Sequence, residues 1–111
     1  MELEIKKPKF YLIQAGVQDF IANVLNESDT IELDSTNMDG RDITYVKNVK
    51  KQFININNIF QEGVAPGQSK PSLQRLKGTV LTLNISNVNS IAVVPKELED
   101  RLSAAVSGLI V

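Results

Sequence analysis

The chain has 111 residues, a formal net charge of −1 from 12 basic and 13 acidic side chains, and no His, Cys or Trp. That length suits one hydrophobic core rather than two, and 42% hydrophobic with 23% charged residues is ordinary for a globular domain, not a disordered or fibrous chain. Without Cys there is no disulfide framework, iron–sulfur cluster or thiol nucleophile, and without His the commonest general base and metal ligand is missing.

The first residues carry charges at Glu2, Glu4, Lys6, Lys7 and Lys9 with no apolar stretch behind them. No secretion signal is therefore expected. No run approaches the roughly 18 apolar residues of a membrane helix, so the chain is expected in the cytoplasm or inside a virion, away from membranes.

Pro8 leads into a segment with apolar residues at Phe10, Ile13, Val17, Phe20, Ile21, Val24 and Leu25, which is helical spacing. Gly16 weakens its first half, so a helix is predicted over residues 17–26, with 10–13 either its first turns or a short strand. From Asp29 the period changes. Residues 30–33 read as a strand, 37–40 as a turn centred on the Asp39-Gly40 pair, and 42–46 as its returning strand. Residues 52–56 are β-branched and laced with Asn, which fits another strand.

Residues 63–70 read as a loop, with Pro71 opening a short helix closed by Gly78. Residues 79–85 alternate cleanly, with Leu81, Leu83 and Ile85 on one face. Residues 91–94 form a short buried strand stopped by Pro95. From Pro95 a helix is predicted with Glu97, Glu99 and Asp100 at its positive end and Leu98, Leu102, Ala105, Val106, Leu109 and Ile110 on one stripe. The sum is one α+β domain over residues 1–111: a mostly antiparallel sheet of four to six strands, one helix in the N-terminal half and one at the C-terminus.

Charge is segregated along the chain. Residues 19–42 hold seven acids and one base, for a net −6, and residues 43–85 hold six bases and one acid, for a net +5. Three readings fit: a solvated surface, self-association of acidic patch to basic patch, or nucleic-acid binding by Lys47, Lys50, Lys51, Lys70, Arg75 and Lys77. The last is disfavoured by negative net charge and by a single arginine in the basic stretch, with Tyr45, Phe53 and Phe60 as easily core as stacking platforms.

Motifs that carry chemistry fail on inspection. Residues 35–46 place Asn37, Asp39 and Gly40 as a calcium loop does, but Ser35 and Val46 stand where the first carboxylate and the bidentate glutamate belong. Gly67 is followed by Gln68-Ser69-Lys70-Pro71, not by the Gly-Lys-Ser/Thr of a phosphate loop. Neither the Asp34 and Asp39 pair nor Ser69 with Lys70 has the context of a catalytic set. No catalytic, metal-binding or cofactor-binding residue is assigned, and no enzymatic activity is expected.

The expectation is a structural or assembly protein that packs against copies of itself or within a larger particle such as a virion. The six cationic residues above and the apolar end Leu109, Ile110 and Val111 are the candidate partner contacts. The competing expectation is a regulatory or adaptor module that recognises a protein or nucleic acid through the basic segment 47–77.

Overall fold

A computed structural model describes residues 9–64 and 66–107. In chain order these form β1 (Phe10–Ala15), β2 (Gln18–Val24), a single helical turn α1 (Glu27–Thr30), β3 (Ile31–Met38), β4 (Arg41–Val49), β5 (Phe53–Gly63), β6 (Ser72–Leu76), β7 (Leu81–Asn84), β8 (Val88–Val93) and α2 (Lys96–Ser107). The fold is α+β, and the strand pairs among the described residues are antiparallel. One sheet runs β6-β5-β2-β1-β8 with β7 also on β5, and β3 and β4 form a second, two-stranded sheet.

Two segments expected as helices are strands. Residues 17–26 contain β2, which pairs from Gln18 to Asn23 with β1 across a turn at Gly16 and Val17. Gly16 has φ +63, a left-handed conformation that glycine adopts without strain. Phe20, Ala22 and Val24 face one side of the sheet and Ile21 and Asn23 the other, and both sides are covered. A strand buried on two faces reads as a near-continuous apolar run, so helical spacing appears in it by coincidence. Residues 72–76, expected as a helix opened by Pro71, pair instead with β5 as β6. One or two turns of isolated helix are marginal, whereas the edge of β5 offers a ready ladder. The helical turn of the N-terminal half falls at α1.

Other expectations hold with shifted bounds. The strand expected to end at residue 56 runs on to Gly63 as β5, Thr30 belongs to α1, and Ile85 leaves β7 for a 3₁₀ turn. The strand expected as buried over 91–94 is β8, which is half-buried to exposed because it lies at the edge of the sheet. Asp39 (φ 54) and Gly40 (φ 78) make the two-residue turn with both central φ angles positive, closing Met38 against Arg41. The predicted C-terminal helix is α2, and Leu81 and Leu83 of β7 share the core-facing side.

The main sheet cannot be flat. Ile56 pairs with Val24 of β2 and also with Leu81 of β7, so β7 lies on the far edge of β5, at the opposite end of the strand order from β8. Four strand spacings amount to about 19 Å. Along the strands, Val88 and Gln18 both oppose Ala15; Val24, six residues on, opposes Ile56, and Phe53, three further, opposes Asn84. Yet only the 3₁₀ turn at Ile85–Asn87 joins Asn84 to Val88, a link of at most about 14 Å. The sheet must therefore coil into a strongly sheared open barrel, the geometry that tilted, staggered strands produce.

The inner face of that barrel holds Tyr11, Ile13, Phe20, Ala22, Val24, Ile54, Ile56 and Ile59, and the root of the β3–β4 hairpin closes over it with Ile31, Leu33, Val46 and Val49. On the outer face Phe10, Phe60 and Val94 pack under α2 through Leu98, Leu102, Ala105 and Val106. Phe10 and Phe60 meet edge to face at 6.1 Å. A polar chain crosses the same outer face. Asn23, 4% exposed, donates to the Lys9 carbonyl at 2.8 Å, Asn58 donates to Asn23 at 2.8 Å, and Arg75 donates to Asn58 at 3.3 Å.

Candidate interaction surface

The β3–β4 hairpin is buried only at its root. Beyond Leu33 and Val46, residues 34–45 are exposed on both faces of the ribbon. The face continuous with the core turns polar: Ser35 pairs with Thr44 and Asn37 with Asp42, hydroxyl to hydroxyl at 3.3 Å and amide to carboxylate at 3.1 Å. The opposite face pairs Asp34 with Tyr45, Thr36 with Ile43 and Met38 with Arg41. On that face Tyr45 and Ile43 are each 41% exposed and Met38 is 56% exposed. Ile43 turns part of its surface toward the end of β8 and the start of α2, but all three side chains keep apolar surface in water, which solvent alone does not favour.

The arm is also acidic, with Asp34, Asp39 and Asp42 against Arg41 for a net −2 over residues 34–45. Its β4 side faces the end of β8 and the start of α2 across a cleft of about 520 Å³, between residues 42–44 and residues 93–96 with Lys9 and Glu99.

A second exposed surface lies around β6. Among the described residues β6 pairs only with β5, so its outer edge presents unpaired backbone groups. Leu73 on this strand is 42% exposed, and Val64 and Val80 on either side are more exposed still. Residues 59–80 carry Lys70, Arg75 and Lys77 against Glu62, for a net +2. Gly63 and Ser72, the closed end of the β5–β6 ribbon, lie three residues beyond the Phe60–Ile21 pair toward Gln18. The acidic arm lies by Lys9 and Val94, the other end of β1. The two surfaces therefore sit toward opposite ends of the barrel.

The cationic residues singled out in the sequence fall in two groups. Lys47 lies at the bulge of β4 and pairs with Glu32 at 3.7 Å, Lys50 donates to the Ser28 carbonyl at 2.7 Å, and Lys51 follows on the exposed link to β5. Of these three, Lys47 alone meets an acidic side chain among the described residues, so folding returns only part of the linear segregation to itself. Lys70, Arg75 and Lys77 belong to the β6 region, where Arg75 is half-buried and bound to Asn58 and the two lysines are exposed. Of the aromatic residues weighed as stacking platforms, Phe60 is core while Tyr45 and Phe53 are exposed. Leu109, Ile110 and Val111 lie outside the described residues.

Sequence reasoning missed the apolar stripe of the arm. Ile43 and Tyr45 alternate with polar residues as a half-buried strand does, and nothing local says which face the body covers. Among the described residues no cluster of three or more His, Cys, Asp or Glu is placed to hold a metal ion, and no helix is long and apolar enough to cross a membrane. No protein-family model, curated protein or solved structure matches the chain.

Proposed function

We propose that the chain is a non-enzymatic structural subunit that assembles with copies of itself, alone or as part of a larger particle such as a virion. The observation that carries this reading is the stripe of Met38, Ile43 and Tyr45 along an arm whose other face is tied together by polar pairs. An exposed apolar row costs solubility unless a neighbour covers it, and a projecting ribbon with unpaired edges is a form that lends itself to strand addition. Sequence chemistry agrees, since a chain without His or Cys lacks the usual general base and thiol nucleophile. Light scattering across a rising concentration series is the test: mass is expected to grow well beyond the 12.3 kDa of one chain. A constant single-chain mass at every concentration refutes the reading.

A second reading is favoured by one local observation. Lys50 and Lys51 precede the exposed Phe53 in the chain, a local combination of cations and an aromatic residue of the kind that single-stranded nucleic acid binds. An adaptor of that kind binds with affinity that falls steeply as salt rises. Absence of oligonucleotide binding at low salt removes it.

A further inference from the structure

We propose that the β3–β4 arm of one copy docks on the β6 edge of the next, in a head-to-tail contact that repeats from subunit to subunit. This rests on the reading of the chain as a self-assembling subunit and names the two surfaces that meet.

Three properties match across the contact. The arm carries −2 over residues 34–45 and the β5–β6 region +2 over residues 59–80, a complementarity that orients two surfaces and suppresses wrong pairings. Both surfaces expose large apolar side chains, Met38, Ile43 and Tyr45 on the arm and Val64, Leu73 and Val80 around β6. Both present strand edges whose backbone groups have no partner among the described residues, since β6 bonds only to β5 and the arm strands bond only to each other.

The two surfaces lie toward opposite ends of the coiled sheet, the arm by Val94 and the β6 ribbon beyond Gln18, so they meet most readily between molecules. A contact between two different patches is heterologous: it closes into a ring if the rotation between subunits allows and runs on as a filament if it does not. Backbone pairing of the arm with β6 extends one subunit's sheet with the next subunit's ribbon.

The test uses two double variants of the full chain. Asp34→Lys with Asp42→Lys turns the arm from −2 to +2, and Lys70→Glu with Lys77→Glu turns the β6 region from +2 to −2. All four side chains are exposed, so each variant should keep the wild-type melting curve, and Asp→Asn and Lys→Gln versions replace any that does not. Sedimentation velocity should show each variant alone assembling roughly tenfold or more weakly than wild type, because like charges then face each other. An equimolar mixture should regain assembly, since each variant's arm now matches the other's edge.

A wild type that stays single at all concentrations overturns the subunit reading and this contact with it. A wild type that assembles while either variant assembles equally well, or while the mixture fails to recover, overturns only the contact. The same holds if the Lys70 and Lys77 variant keeps its assembly but loses affinity for a single-stranded oligonucleotide that the wild type binds, which makes the edge a nucleic-acid surface.

Discussion

The phenol of Tyr11, a buried residue near the start of β1, donates a 2.7 Å hydrogen bond to the carboxylate of Glu27 in the helical turn that leads into the arm. This bond ties the barrel interior to the root of the hairpin. Burial, then the bond to Glu27 and the negative charges of Glu27 and Glu99, push the Tyr11 hydroxyl far above its ordinary value near 10. The fold thus selects the neutral phenol. Its contribution to stability is whole below about pH 10 and is lost as pH climbs toward the raised value. Tyr11→Phe should cost about 1 to 2 kcal/mol at neutral pH, the lower part of the range for a charge-assisted bond because Glu27 is half-exposed. Above about pH 10 the wild type should lose stability more steeply than Tyr11→Phe. Chemical denaturation at several alkaline pH values checks this, and equal slopes contradict it.

Asn23 sits where a strand facing an apolar helix would ordinarily place a hydrophobe. It is held by the Lys9 carbonyl and by Asn58, whose φ of 49 bends β5 at the point where its ladder with β2 shifts register. Asn23→Leu leaves the Asn58 amide and the Lys9 carbonyl without their partner, which should cost about 1 to 3 kcal/mol in urea unfolding despite the gain in apolar character. A stability equal to wild type contradicts the structural role of the chain of amides.

Ile43→Asp with Tyr45→Ser removes two of the three side chains of the arm's apolar stripe without touching the root. Both positions are exposed, so the stability of the single chain should change by no more than about 0.5 kcal/mol. Assembly should drop sharply in the same samples. Loss of stability with assembly intact would assign the stripe to the core of this chain and not to a neighbour.

Much of this architecture is legible in the sequence where the signal is local. Asp39-Gly40 encodes its turn because few other pairs accept two positive φ angles, and α2 is marked by Pro95, the acids of its first turn and the Leu98 and Leu102 stripe. Legibility fails where burial depends on distant partners. Phe20, Ile21 and Val24 fit a helix as well as a doubly covered strand, and only the presence of α2 on one side and the barrel interior on the other decides between them. β6 is a strand because β5 is beside it, which five residues of sequence do not reveal. The charge segregation is visible, but Lys47 and Glu32 show that folding folds part of it back on itself. The remaining imbalance, arm against β6 edge, emerges only from the register.

The absence of cysteine makes the most direct measurement clean. Met38→Cys places a thiol on the exposed face of the arm, and Leu73→Cys places one on the exposed β6 edge. Mild oxidation of the two single-cysteine proteins in a mixture should give disulfide-linked pairs that join one of each, well above the like pairs formed by either protein alone. Links that form as readily in Met38→Cys alone, or none in any mixture, would contradict arm-to-edge assembly.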